Sequence, residues 1–501
     1  MKLVISSKAL GFLCGLFFCG ELHAQPPLPL PVSHPEKEGV SSAAILSFVE
    51  RLERDLDAVH SFMILRHGSR IAQGWWTPYE EETPQLMHSL SKSFTSTAIG
   101  LAIGEGHLSL DDPVVSFFPE EIPDEPSWQL KAMRIRDLIT MTTGHRKEPA
   151  LLQSESSWVR AFLHSEIEFK PGTHFQYNSA ATYMLSAILQ SVTRERLVDY
   201  LDKRLFQLLE IKKPEWDRSP EGIDAGGWGL RITTEDIAKL GQLYLQRGIW
   251  QGTRILSEEW VQEATSKQTS NGSDPDSDWD QGYGFQFWRC RHNCYRGDGA
   301  FGQFCIVIPE HQAVIAITSG ADEMGKIMEA VWALLLPGMS ASPLDSDPPA
   351  SRALAVKLDG LSLPVVEGNR RSPVSQGLAQ RTFKVFENDA GVRSVSFDLH
   401  EDDHRITVEM DHGRETLELG SGKYVSSRMI SHLPSTKSLR RLIGASGAWV
   451  KPDEYHARVY LTETPASILY RFRFKNNRMT WTSQLRHSLF GPRNLTILRG
   501  E

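Results

Sequence analysis

The chain reads as an α+β protein: an antiparallel sheet flanked by helices, with a helical subdomain, and then a small all-β domain. Three observations predict this. Strand-like segments sit at both ends of the first 337 residues, with apolar helical segments between them. A run rich in Pro, Ser and Asp (339–351, MSASPLDSDPPAS) then interrupts the pattern as a linker. Beyond it, apolar and polar residues alternate with period two, as in Val395, Phe397, Leu399 and in Ile406, Val408, Met410. A length of 501 residues is also too great for one core and suggests two domains.

The elements follow in order. Residues 61–67 and 70–74 (SFMILRH, RIAQG) read as a hairpin. Residues 91–108 form a long apolar helix, 133–143 a second, and 177–192 a third. A fourth spans 234–247, with Thr233, Thr234, Glu235 and Asp236 as capping residues. Residues 283–288, 303–308 and 313–318 read as strands, and 325–335 closes the domain as a helix. In the all-β part, from Thr382 to Leu498, Asp411-His412-Gly413 and Asn476-Asn477 mark hairpin turns of a sandwich or barrel.

The N-terminus has the pattern of a secretory signal. Lys2 and Lys8 are followed by an apolar run, 9–18, and by Ala24 at a cleavage position before Gln25. The run is too short for a membrane span. The expected location is periplasmic or secreted, with no integral span once the signal is removed. Three cysteines remain in the mature chain: Cys290, Cys294 and Cys305. A hairpin turning near Gly297-Asp298 would place Cys290 opposite Cys305, either bridged or as two core thiols. Their spacing is not that of a zinc site. The acidic alternation Asp274, Asp276, Asp278, Asp280 lacks the acidic twelfth ligand of a calcium loop and reads as a solvated loop. A net charge of −8 and the lack of basic runs argue against a nucleic-acid partner.

Ser89-Leu90-Ser91-Lys92 is the only Ser-x-x-Lys in the chain, and it opens the first long helix. The spacing stacks both side chains on one helix face. The free N–H groups of the helix start lie where an oxyanion would form. A buried lysine can take the serine proton. Tyr177-Asn178-Ser179 supplies a second proton handler at the entry of another apolar helix, where a tyrosine near an ammonium group has its phenolate stabilised. The Gly-rich stretch 296–302 (RGDGAFG) leads into a strand and lets backbone approach a substrate closely.

Together and in this order, these pieces resemble the class C β-lactamase and penicillin-binding-protein-like serine hydrolases, whose pattern is Ser-x-x-Lys, Tyr-x-Asn or Tyr-x-Ser, and a Lys/His-x-Gly triad on an edge strand. The stretches 135–144 (IRDLITMTTG) and 226–230 (GGWGL) are also similar to that family. The residue patterns divide the chain into a signal peptide (1–24), a Pro-rich entry (25–38) and a linker (338–352), and the resemblance implies a hydrolase domain (39–337) and an accessory β domain (353–501). It implies Ser89 as nucleophile, Lys92 as its base and Tyr177 as companion base. The N–H groups of Ser89 and Ala300 would form the oxyanion hole. Ser179, Asp298 and Gly299 would contact substrate, and no metal or organic cofactor would be needed. Trp228 and His145 are weaker candidates for lining the site.

Two positions depart from the pattern. Ser179 replaces the asparagine of the β-lactamases, and Gly297 occupies the Lys/His place of Gly297-Asp298-Gly299. A substrate carboxylate would face Asp298 and be repelled unless Arg296 compensates. The expectation is an ester or amide substrate, neutral or amine-bearing, cleaved through an acyl-enzyme. The alternatives are a β-lactamase or D-Ala-D-Ala carboxypeptidase, and a catalytically silent module binding cell wall or protein.

Overall fold

The computed structural model describes residues 29–154, 156–379, 381–399, 403–430, 440–489 and 494–500. The signal-peptide reading, with Cys14 and Cys19, lies outside them. Among the described residues no helix is long and apolar enough to cross a membrane.

The first domain is built on a six-stranded antiparallel sheet. Its strands are β1 (Val59–Arg66), β2 (Ser69–Trp75), β3 (Trp288–Arg289), β4 (Tyr295–Gly299), β5 (Gln303–Ile308) and β6 (Ala313–Ser319). Their spatial order is β2-β1-β6-β5-β4-β3. The central strands are apolar at nearly every position because both faces are covered. Met63, Leu65, Cys305 and Val307 pack toward one core, and Phe62, Ile64, Phe304 and Ile306 toward the other. The first face carries α2 (Ser91–Gly104), α3 (Ser179–Thr193) and α4 (Thr234–Leu245). The second carries α1 (Ser42–Asp55) and α5 (Gly325–Ala330), which runs on into a π turn, Val331–Leu335.

The expected helices are present with shifted ends. The helix at Ser91 stops at Gly104, where Gly106 (φ +76°) turns the chain out. Residues 133–143 give only a short helix, Ile135–Ile139, because Met141 sits at positive φ. Thr233 and Asp236 cap α4 reciprocally. Residues 283–288 do not form a strand, apart from Trp288 at the start of β3. Gln286 lies at φ +64°, and its side chain bridges Thr182 and the Ile139 carbonyl while Phe285 and Phe287 turn into the core.

The Cys290–Cys305 bridge is not formed, and all three thiols are free and buried. The hairpin turns at 300–302, not at Gly297-Asp298, so Cys305 pairs with Gly297. Cys305 also packs on the α4 face, whereas Cys290 and Cys294 pack on the other.

The segment read as a linker runs into a helix, Pro348–Asp359, whose Leu354 packs against the second core. The C-terminal domain is a nearly closed β-barrel, antiparallel except where Gly420 meets Ser446 in a parallel pairing. Nine strands from Thr382–Lys384 to Asn494–Gly500 follow one another around it, and Val425–Ile430 joins from the side. A bridge from Val385 to Gly500 brings the first and last strands together. Asn476 and Asn477, both at positive φ, form the expected two-residue turn. Phe383, Phe472 and Phe474 each meet Phe397 edge to face in the interior.

Candidate active site

Ser89 lies in a 3-10 turn (His88–Leu90) immediately before α2, so it does not cap that helix. The turn reverses at His88, whose φ of +45° is in the left-handed region. This leaves Ser89 half-buried, while Lys92 is carried one turn along and fully inward. Lys92 Nζ donates to Ser89 Oγ at 3.1 Å, to Ser179 Oγ at 3.1 Å and to the Gly227 carbonyl at 2.7 Å. Burial pulls its pKa down to about 7, against the smaller opposing pull of the Glu148 and Asp298 charges. At neutral pH a substantial fraction is therefore the free amine.

Tyr177 lies just ahead of Asn178, which caps α3 through the Ala181 N–H at 3.1 Å. The phenol hydrogen-bonds Ser89, and its ring lies 4.9 Å from Lys92 Nζ. Trp288 stacks on the ring at 5.3 Å and Tyr283 meets it edge-on. The expected stabilised phenolate is not found. Burial, helped by the Asp298 and Glu148 charges, pushes the phenol well above its ordinary range, against the opposing Ser89 hydrogen bond and Arg296 charge, so the resting group is a protonated donor.

Strand β4 closes the site. Gly299 packs so tightly on the turn before Ser89 that a Cβ there would overlap the Met87 carbonyl and crowd the Leu90 N–H. That contact sets the end of β4 against the turn that carries Ser89. Gly297 faces Leu90 and Ser93, and any side chain there would overlap Leu90. The place that holds Lys or His in the family pattern is thus sealed by α2. Asp298 points to the other side of the strand, where Arg296 Nε (2.9 Å) and Trp279 Nε1 (3.0 Å) donate to it. Arg296 is fully buried, bonded also to the Asp278 carbonyl (2.8 Å) and to Cys290 Sγ (3.1 Å). It therefore offsets the Asp298 charge without being exposed to a substrate.

The weaker candidates divide. Trp228 adjoins Gly227 and packs on Trp158 at 5.6 Å with the rings tilted. His145 is buried between Thr143 Oγ1 (2.8 Å) and Ser165 Oγ (2.7 Å), and burial lowers its pKa to about 4, so it is a neutral packing group. Of the acidic alternation, Asp278 is not solvated. It is buried and accepts from Arg291 and Trp332.

Sequence reasoning missed Glu148. Its exposed carboxylate accepts the Ala180 N–H at 3.2 Å, beside Ser179, and its charge is felt by both Lys92 and Tyr177. No motif marks it, because a single Glu in a loop has no signature. The Gly227 carbonyl was missed for the same reason, since a backbone acceptor carries no residue identity.

Residues 49–336, more than half of the chain, match the family model Beta-lactamase. The chain belongs to the β-lactamase family of serine hydrolases. It is 25% identical over 309 residues to a 6-aminohexanoate-dimer hydrolase of Paenarthrobacter ureafaciens, covering 56% of this chain and 78% of that protein. It is 25% identical over 213 residues to a β-lactamase of Escherichia coli K12, covering 37% of this chain and 55% of that protein. A solved structure of a provisionally named 6-aminohexanoate-dimer hydrolase from Bacillus anthracis superposes with a TM-score of 0.51 at 18% identity, over 62% of this chain and 87% of that one. The fold of the first domain is thus the β-lactamase fold.

Proposed function

We propose that this protein is an exported esterase or amidase that forms an acyl-enzyme on Ser89 and prefers small substrates carrying an amine near the scissile bond. The observation that carries the reading is Ser89 Oγ held between Lys92 Nζ at 3.1 Å and the Tyr177 hydroxyl. Neutral Lys92 takes the Ser89 proton as Oγ attacks the carbonyl carbon. The N–H groups of Ser89 and Ala300 receive the oxyanion. The proton then passes from Lys92 through the Tyr177 hydroxyl to the leaving alcohol or amine as its bond to carbon breaks. Water then attacks the acyl carbon, its proton passes through the same pair to Ser89 Oγ as the Oγ–C bond breaks, and the acid is released.

The charges around the cleft support the amine preference. The exposed Glu148 carboxylate acts on Lys92, whereas the Asp298 charge is offset by buried Arg296, and the place for a carboxylate-binding lysine is closed by Leu90 against Gly297. One relative is named a 6-aminohexanoate-dimer hydrolase, and the amino group in that name fits the same preference. The signal pattern at the N-terminus supports export.

Hydrolysis of p-nitrophenyl acetate and butyrate, with nitrocefin in parallel and Ser89→Ala as control, tests the reading. Ester turnover that disappears in Ser89→Ala, with weak nitrocefin turnover, is expected. Efficient nitrocefin hydrolysis at low enzyme concentration would overturn the substrate preference, and ester turnover intact in Ser89→Ala would overturn the nucleophile.

A further inference from the structure

We propose that the C-terminal barrel is a positioning device for the oxyanion hole, acting through His487 on Phe301 and through the Glu463 carbonyl on the segment that leads into Ser89. The inference rests on the reading of the Ser89 and Ala300 N–H groups as that hole.

The two donors come from different elements, a turn before α2 and the β4–β5 hairpin. Each is flanked by a non-glycine residue in the left-handed region: His88 (φ +45°) before Ser89, and Phe301 (φ +66°) after Ala300. Such a conformation persists only where surrounding contacts over-determine it. Here the contacts form a chain. The His88 ring meets Phe301 edge to face at 5.6 Å, and Phe301 meets the barrel's His487 in the same way at 5.7 Å. All three side chains are buried. The Phe301 carbonyl is fixed as well, accepting Ser319 Oγ at 2.6 Å and the Ala321 N–H at 3.0 Å.

The barrel reaches the nucleophile side too. Its turn at 462–466 presents the Glu463 carbonyl to the Leu86 N–H at 2.9 Å, three residues before Ser89. Gly320, at the end of β6, has no room for a Cβ because Pro465 and His487 of the barrel lie against it. Arg441 of the barrel anchors this seam, pairing with Glu215 of the first domain at 3.2 Å and with Glu463 at 3.6 Å. The barrel therefore grips both halves of the hole from outside the cleft, touching neither substrate nor reacting atoms. Ring contacts of this kind hold geometry without chemistry, and a small displacement of an oxyanion donor costs rate far more than binding.

The test uses the full chain with four variants, His487→Ala, His487→Phe, Phe301→Ala and the double alanine, assayed on an aryl ester and its thiono (C=S) analogue. Melting temperatures and Ser89→Ala accompany them. His487→Ala is expected to lower kcat for the oxygen ester about 10-fold with little change in KM, and to lower the oxygen-to-thiono rate ratio, because the hole distinguishes oxygen from sulfur. His487→Phe is expected to restore most of both. The double variant is expected to lose no more than about 10-fold, since both changes break one contact. Phe301→Ala reads the same contact from the first domain should His487→Ala fail to fold. A uniform loss on both esters, or wild-type kcat in folded His487→Ala and Phe301→Ala, would overturn the clamp. Turnover surviving in Ser89→Ala would instead contradict the reading beneath it.

Discussion

Lys92 combines the greatest cost with the greatest use in the site. A buried ammonium loses its water, and three acceptors replace only part of that hydration. The protein answers by holding its pKa near 7. The sign of the pH effect follows. Below that value the amine is protonated and cannot take the Ser89 proton, so kcat/KM should rise with pH through about 7 and then level off. Lys92→Arg, which stays charged, should lose roughly 10³-fold or more in kcat at every pH. A flat profile from pH 5 to 9 would show that another group is the base. Glu148 makes a second prediction at this scale. Glu148→Gln should reduce the preference for an amine-bearing ester over its neutral isostere by about 10-fold or less, because the carboxylate is exposed and screened. The preference should also weaken with added salt in the parent and not in the variant.

At the scale of elements, α2 shows how the site is mounted. Its buried face runs nearly all round, so it reads in the sequence as an apolar helix without a polar stripe. Gly100 lets the Trp260 indole lie directly on the helix, and a Cβ there would overlap it. Gly100→Ala gains about 1 kcal/mol of helix propensity and meets overpacking of about 1–3 kcal/mol. Overpacking should win, since Trp260 is buried and backed by Phe285 at 5.2 Å. A net loss of about 1–2 kcal/mol in urea unfolding is expected, and a gain would show that Trp260 can move. Helices α3 and α4 were legible because burial and period coincide, and α2 because its apolar run is long. Residues 283–288 were misread because Tyr283, Phe285 and Phe287 alternate like a strand, whereas Gln286 reverses the backbone for two long-range hydrogen bonds. Helix α1 went unread, although Ser41 caps it and Ile45, Phe48, Val49 and Leu52 line its buried face. These positions recur at i, i+3, i+4 and i+7, so the helix was legible in the sequence. The Ser-Lys-Tyr constellation was legible because its members sit at helix starts with fixed spacing. The Tyr177 protonation state and Glu148 were not, because both depend on what burial brings together.

At the scale of the molecule, the barrel and the hydrolase domain share a polar and aromatic seam. Tyr79 packs on Tyr460 at 6.1 Å, the Leu86 N–H bonds the Glu463 carbonyl, and Arg441 pairs across to Glu215. With a common seam buried at Gly320 and Gly444, neither part is free to open alone. Thermal unfolding should therefore show one cooperative transition, with loss of ester turnover coincident with loss of barrel β signal in circular dichroism. Two separated transitions would mean that the seam contributes little to stability.

The acyl-enzyme itself is the most direct test of the account. The protein is mixed with p-nitrophenyl acetate, quenched in acid during turnover, and its peptides mapped by mass spectrometry. An acetyl group on the peptide containing Ser89, absent in Ser89→Ala, is the predicted result. Turnover with the acetyl group on another residue, or undiminished turnover in Ser89→Ala, would contradict it.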